Sequence, residues 1–182
     1  MIGYGMCGSF CTIKKSILQL ERLVELGYDV QPFMSEILYN TDTRFGKALD
    51  IIEKVEAICG RRVIHSIVDA EPFGPSTPLD CLILSPCTGN TLAKLANGIT
   101  DTAVCMVTKA HLRNNGDVII ALASNDALSA NLKNVATLRS RKNVYFVPMS
   151  MDDPQNKPHS LVADFDMVIP TFESVIKKES AR

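Results

Sequence analysis

Short, dense apolar runs alternate with longer runs of helical period along the chain. Apolar side chains that recur every three or four residues predict helices, and short uninterrupted apolar runs predict strands. The predicted strands are MIGYGM (1–6), YDVQPF (28–33), RRVIHSIV (61–68), CLILS (81–85), DVIIALA (117–123), NVYFVPM (143–149) and DMVIP (166–170). The predicted helices run from Ile13 to a stop at Gly27 and over 46–60, 90–98, 102–114 and 128–141, and a short polar helix closes the chain.

Local signals sharpen two of these helix boundaries. Gly60 follows the last apolar position of the second helix and is a candidate C-cap. Asp101 precedes the helix 102–114 and is a candidate N-cap, and the sequence NNG stops that helix.

Alternation of apolar strands with helices predicts an α/β fold. Strands that are apolar on both faces belong in a parallel sheet covered by helices on both sides. We therefore predict a doubly wound parallel sheet, a flavodoxin-like or Rossmann-like three-layer sandwich, in one domain over residues 1–182. The long loops at 70–79 and 151–160 are typical of functional or interfacial segments, although plain surface loops explain them equally well.

Composition narrows the classes of function. The 19 basic and 20 acidic residues are interspersed and give a net charge of -1, so we expect no nucleic-acid partner. No apolar run approaches the roughly 20 residues of a membrane helix, and the amino terminus has neither a basic region nor a cleavage site, which predicts a cytoplasmic protein. The six cysteines are scattered without a CxxC pair, which favours reduced thiols and no metal site.

Ligands of open parallel sheets bind outside the carboxyl ends of the strands. The predicted loops at those ends are GMCGSFC, FMSEIL, SPCTGNT and ASNDALS. In the first loop, Gly8 and Ser9 precede a helix, where backbone N–H groups can approach an anion, or where a tight turn alone requires glycine. Ser35 in the second loop adds a hydroxyl, or it serves only as an N-cap.

The third loop is the richest in neutral polar side chains. Ser85, Thr88, Asn90 and Thr91 are donors and acceptors of the kind that bind a ribityl chain or a phosphate without adding charge. Cys87 lies before a helix, which lowers a thiol pKa and makes it a candidate nucleophile; the alternative is a small buried or pocket-lining side chain.

The remaining candidates for chemistry are few. None of the histidines, His65, His111 and His159, is expected to converge on the third loop, which disfavours a nucleophilic cysteine. Glu71, Asp101 and Asp126 are candidate acids and bases that are explained equally well as caps or surface charges.

The motifs GMCGSF, FMSEI, SPCTGNTLAKLANGITD and ASNDALS together resemble the flavoprotein fold of FMN-dependent cysteine decarboxylases, phosphopantothenoylcysteine decarboxylase and flavin prenyltransferases. The resemblance implies FMN as a cofactor, with Gly8, Ser9 and Ser35 at its phosphate. It also implies a cofactor-binding set from the third and fourth loops: Pro86, Cys87, Thr88, Asn90, Thr91 and Asn125.

The chain departs from the decarboxylases at two places. Asn125 lacks the Pro and Met that precede the family's asparagine, and Leu128 stands where the motif has its second Met. Pro72 occupies the position expected for the catalytic histidine. Both departures disfavour cysteine decarboxylation.

A closer resemblance spans nearly the whole chain. The stretches TGNTLAKLANGITD, KAHLRN, SNDALSANLKN and KNVYFVPMSMDDPQNKPHSLVAD are similar to the B subunits of bacterial dipicolinate synthases. This implies oxidation of dihydrodipicolinate to dipicolinate (pyridine-2,6-dicarboxylate) during sporulation, a partner A subunit that carries NAD(P), and a homo-oligomer. The alternatives are an FMN-dependent decarboxylase or prenyltransferase, and a noncatalytic assembly subunit with a vestigial flavin pocket.

Overall fold

A computed structural model describes residues 1–74 and 76–180, and it describes side chains only as far as residue 177. Its strands form one seven-stranded sheet. The strands are β1 (Ile2–Met6), β2 (Val30–Met34), β3 (Cys81–Thr88), β4 (Val118–Ser124), β5 (Val144–Phe146), β6 (Met149–Ser150) and β7 (Leu161–Ala163). The helices are α1 (Ile13–Glu25), α2 (Glu36–Asn40), α3 (Ala48–Cys59), α4 (Ile67–Ala70), α5 (Gly89–Ala96), α6 (Ala103–Arg113), α7 (Leu132–Arg139) and α8 (Val168–Ser180).

The principal strands are parallel and follow the order β2-β1-β3-β4-β5. The order reverses between β1 and β3, which is where open α/β sheets of this order bind ligands. A short antiparallel extension completes the sheet, because β7 pairs with the end of β4 and β6 pairs with β7. The doubly wound fold predicted from the sequence is confirmed.

Helices cover both faces of the sheet. One apolar core packs α1, α3 and α8 on the sheet around Tyr4, Leu20 and Phe172, all almost fully buried. The other packs α5 and α6 on the opposite face around Leu92 and Val104. This is the predicted three-layer sandwich.

Two predicted strands are wrong. In the stretch 61–68 only Ile64 bridges to the sheet, opposite Phe33, and Ser66 then caps α4. The stretch 166–170 is helical, because the Asp164 carboxylate accepts a hydrogen bond from the backbone of Asp166 and starts a 3-10 turn that leads into α8. At both places a capping side chain, Ser66 or Asp164, begins a helical turn in place of an extended strand.

Three smaller boundaries also differ. The predicted strand 143–149 is divided into β5 and β6, and the predicted helix 128–141 is shortened to α7. Asp101 is not the N-cap of α6: the Thr102 hydroxyl accepts from the backbone of Cys105 at 3.2 Å, whereas Asp101 pairs with Lys94 at 2.8 Å. The predicted C-cap is confirmed, since Gly60 is left-handed with φ of 62°. Within the described residues, no helix is long and apolar enough to cross a membrane.

Candidate functional site

A cavity of about 950 Å³ opens at the carboxyl ends of β1, β3 and β4. Its walls come from the loops after these strands, at residues 8–12, 88–90 and 123–126. It therefore lies beside the point where the strand order reverses, and its volume is within the range of small-molecule sites.

Five of the predicted site residues line this cavity: Gly8, Ser9, Thr88, Asn90 and Asn125. Three more lie behind its wall. Pro86 and Cys87 are buried at the end of β3, and Thr91 is buried in the first turn of α5. Their role in binding a cofactor stays a prediction.

Ser35 lies outside the cavity lining, at the start of α2. Its backbone N–H donates to the Met6 carbonyl at 2.9 Å, which holds the second loop beside the first. Its side chain is buried, and Oγ has no hydrogen-bond partner among the described residues. The structure thus places Ser35 next to the loop after β1 but not in contact with the open cavity.

The third loop is shaped by the end of β3. The pairing register between β3 and β4 shifts between Leu84 and Cys87. Such a bulge changes the direction in which the following side chains point. The chain then enters α5 directly, and the Thr88 hydroxyl caps the helix by accepting from the backbone of Thr91 at 3.2 Å. Thr88 therefore lines the cavity and stabilises the helix at the same time.

Asp126 provides a fixed negative charge in the cavity wall. Its Oδ1 accepts hydrogen bonds from Ser124 Oγ at 2.5 Å and from Asn131 Nδ2 at 2.9 Å, and Asn134 holds Asn131 through a further bond of 2.8 Å. The Ser124 hydroxyl, followed by Asn131, lowers the pKa of Asp126. The carboxylate is therefore ionised at neutral pH and acts as an acceptor rather than as a general acid.

Gly89 allows α5 to reach this network. A Cβ atom at Gly89 would lie 2.4 Å from Ser124 Oγ and 2.7 Å from Asn131 Nδ2, distances that real side chains do not adopt. Sequence reasoning left Asp126 as one of several acids and missed Ser124, Gly89 and Asn131. The available signal was the cluster of short polar residues directly after the buried strand β4.

Cys87 forms a pair with Cys7 behind the cavity. Both thiols are almost fully buried, and the Thr91 hydroxyl donates to Cys7 Sγ at 3.3 Å. The hydrogen bond to Cys7, together with burial, raises the pKa of Cys87. Cys87 is therefore a neutral donor with no access to the cavity, which favours the buried alternative over the nucleophile.

The histidines lie away from the cavity wall. His65 stacks on Tyr39 with ring centroids 3.7 Å apart, and the buried His111 lies 3.0 Å from the Asp117 carbonyl. The backbone carbonyl of His159 accepts from the Leu128 N–H at 2.9 Å. No general base from a histidine is thus available at the described cavity lining.

The loop 151–160 reaches the rim of the cavity. Asp152 and Lys157 both line it and form an ion pair of 2.9 Å. Arg44, from the segment between α2 and α3, lines the same cavity. Sequence reasoning did not identify these charged residues, because they lie far apart in the chain and away from the ends of the principal strands.

The cavity lining fits a phosphorylated, hydroxyl-rich ligand such as FMN. Ser9, Thr88 and Asn90 offer neutral donors and acceptors. A Cβ atom at Gly8 would lie 2.9 Å from Ile37, so glycine keeps the backbone of the first loop close to α2 and open to a ligand. Within residues 1–74 and 76–180 no cluster of three or more His, Cys, Asp or Glu could hold a metal ion.

Known proteins with similar sequences and structures agree with this fold. The chain matches the family described as Flavoprotein over residues 1–177. It is 43% identical to the B subunit of dipicolinate synthase from Bacillus subtilis (strain 168) over 175 residues, which cover 96% of this chain and 88% of that protein. The crystal structure of the corresponding B subunit from Bacillus halodurans superimposes with a TM-score of 0.88 and 44% identity, and the match covers 97% of this chain and 90% of that one.

A more distant structure shows the fold alone. The FMN-dependent cysteine decarboxylase SpaF superimposes with a TM-score of 0.71 at 22% identity, covering 93% of each chain.

Proposed function

We propose that this chain, which belongs to the flavoprotein family, acts as the B subunit of a dipicolinate synthase. In this role it works with a separate A subunit that carries NAD(P), and together they oxidise dihydrodipicolinate to dipicolinate in the cytoplasm of a sporulating cell. The observation that carries the proposal is the 43% identity to the Bacillus subtilis protein across 96% of the chain. The aligned region covers almost the full length of the chain, so it includes the loop 151–160 as well as the sheet.

The cavity supports FMN as the cofactor. Gly8 and Ser9 would hold the phosphate at the end of β1, and Thr88, Asn90 and Asn125 would bind the ribityl chain and the ring. Bound FMN would supply a group that can carry two electrons, whereas the final electron acceptor of the proposed reaction is the NAD(P) of the A subunit. Ser35, whose buried hydroxyl lacks a partner among the described residues, lies beside the loop after β1 and would offer a further hydroxyl to the phosphate.

Residues of this chain would orient the substrate and exclude water. Asp126, ionised and fixed by Ser124, accepts a hydrogen bond from a ligand N–H or O–H group. The loop 151–160, tied to the segment after β4 by the bond between Leu128 and His159, covers one side of the cavity. Both features favour one orientation of a bound ring.

Reconstitution tests the proposal. Dihydrodipicolinate oxidation is followed as NAD(P) reduction with the purified A subunit alone and with this chain added. We expect the chain to raise the rate, because it completes the site. An A subunit that reaches the full rate alone would refute the proposal.

A titration of the purified chain with FMN tests the cofactor separately. Binding should shift the absorbance band of the flavin and give that band resolved shoulders. A chain that takes up no flavin, yet raises the rate with the A subunit, would instead support the assembly subunit with a vestigial pocket.

The same proposal includes a homo-oligomer. Ile37 on α2 and Leu49 on α3 are 56% and 61% exposed, and these two helices pack together. The exposed apolar side chains of these neighbouring helices are candidates for the contact between copies of the chain.

A further inference from the structure

Three of the four charged side chains that line the cavity have polar side-chain partners, either a neutral group or an opposite charge. Asp126 is held by Ser124 and Asn131, and Asp152 is paired with Lys157. Arg44 lines the same cavity, and no carboxylate in the described part of the chain lies within 4.0 Å of its guanidinium. An unpaired guanidinium at the rim of a cavity is a ready binding group for an anion.

The local backbone presents Arg44 at the tip of a closed turn. Thr43 and Gly46 exchange backbone hydrogen bonds of 3.0 and 3.1 Å around it, and the Phe45 N–H donates to the Thr43 hydroxyl at 3.2 Å. The guanidinium lies 4.8 Å from the centroid of the Phe45 ring. The turn and the ring therefore limit where this side chain extends, while its N–H donors stay unengaged by acidic groups.

Lys157 provides a second cation on the same cavity. An ammonium group has three N–H donors, and Asp152 engages one of them. Arg44 and Lys157 belong to different segments of the chain and both line the opening. A ligand with two carboxylates would be met by one cation from each segment.

We propose that Arg44 binds a carboxylate of the substrate and that the cavity thereby selects a dicarboxylate over a monocarboxylate. The identity of the ligand rests on the proposed function, in which the product is pyridine-2,6-dicarboxylate. Arginine suits this task because its planar guanidinium donates two parallel hydrogen bonds to a carboxylate.

An FMN phosphate is another anion that Arg44 could meet in this cavity. We assign the carboxylate, because the glycine-containing loop at Gly8 and Ser9 is at the end of β1, where phosphates bind in sheets of this type. Arg44 instead comes from the segment after α2, which is not one of the loops at the ends of β1, β3 and β4.

Calorimetry with the purified full-length chain tests the assignment, with and without saturating FMN. The probes are pyridine-2,6-dicarboxylate and pyridine-2-carboxylate, which lacks one carboxylate. For wild type we expect the dicarboxylate to bind more tightly. Arg44→Gln should weaken dicarboxylate binding about tenfold and narrow the difference between the two probes, and Arg44→Lys should fall in between.

The control is Arg113→Gln, an exposed arginine outside this cavity, which should bind both probes like wild type. Circular dichroism and thermal unfolding establish that each variant is folded. Wild type that does not bind the dicarboxylate, or Arg44→Gln that binds it as tightly as wild type, would overturn the assignment.

A second pair of titrations separates the two anions. The titrations use FMN and riboflavin, which lacks the phosphate of FMN. If Arg44→Gln lost FMN binding but bound riboflavin and the dicarboxylate like wild type, the partner of Arg44 would be the phosphate. That result would overturn the proposal. These measurements need no A subunit. Their outcome is therefore independent of the reconstitution that tests the proposed function.

Discussion

At the scale of single residues, Gly89 sets the distance between α5 and the polar network after β4. We expect Gly89→Ala to lower the free energy of unfolding by about 2 kcal/mol, because its methyl group would overlap Ser124 Oγ. It should also weaken FMN binding, because the displaced atoms belong to the cavity wall. Chemical denaturation and flavin titration measure the two effects.

A double-mutant cycle identifies the cause of the Gly89→Ala effect. Ser124→Ala removes the atom with the shortest overlap, so Gly89→Ala should cost less stability in that background than in wild type. Equal costs in both backgrounds would mean that the overlap with Ser124 is not what destabilises the variant.

The pKa of Asp126 reports on the same network. Ser124→Ala should raise this pKa toward its ordinary value, because the Ser124 hydroxyl is the main cause of its lowering. Carboxyl chemical shifts followed by NMR through an acid titration give the value directly. Ser129→Ala is the control, because Ser129 Oγ donates to the backbone carbonyl of Asp126 and not to its carboxylate.

The sign of the linkage follows from the direction of the shift. Since the folded pKa of Asp126 lies below its ordinary value of 3.8, the ionised form is favoured in the folded state. Its contribution to stability is full above that value and is lost as the pH falls through the folded pKa. An Asp126 pKa that does not move in Ser124→Ala would contradict the assigned hydrogen bond.

At the scale of helices and strands, two N-caps offer a matched comparison. Thr88 caps α5 and Thr102 caps α6, each through a hydrogen bond of 3.2 Å, but only Thr88 lines the large cavity. We expect Thr88→Ala and Thr102→Ala each to lower the free energy of unfolding by about 1 kcal/mol. Only Thr88→Ala should also weaken FMN binding, as measured by flavin titration.

The serine variants complete the comparison. Thr88→Ser and Thr102→Ser keep the capping hydroxyl and should recover most of the lost stability. If Thr88→Ala lost stability without any change in FMN binding, Thr88 would be only a helix cap.

The principal strands and helices could be predicted because their apolar periods are unbroken. The stretches at Ile64 and at 166–170 could not, because a short apolar run has the same pattern in a strand, a single bridge or the first turn of a helix. The three-residue strand β7 was missed because it is stabilised by pairing with β4 and β6 rather than by its own composition.

The candidate site was predictable only in part. Gly8, Thr88, Asn90 and Asn125 follow strands whose carboxyl ends meet at one edge of the sheet, so topology alone brings them together. Arg44 and Lys157 come from irregular segments whose path depends on tertiary packing. No spacing along the sequence relates them to the cavity.

At the scale of the whole molecule, the strand order explains where the chemistry is located. Helices leave β1 and β3 toward opposite faces, so their loops separate and leave an opening between them. The antiparallel extension β6–β7 then carries the loop 151–160 over that opening. The cavity is thus a consequence of topology, and the charged rim is added by the peripheral segments.

The oligomeric state is the last property we predict at this scale. Leu49 on α3 is 61% exposed, α3 packs against α2 with its exposed Ile37, and we expect the surface of these two helices to be buried against a second copy of the chain. Sedimentation velocity should give wild type a mass that is a multiple of 19.9 kDa. Leu49→Lys should lower that mass, because a lysine ammonium in an apolar interface would lose its hydration without gaining a partner. Leu132→Lys is the matched control: Leu132 is 50% exposed, lies outside the cavity lining, and begins α7, which packs on α5 and β5 at the other end of the sheet from β2. A monomeric wild type would refute the oligomer itself. Loss of assembly in both variants would instead show that the contact is not specific to the surface formed by α2 and α3.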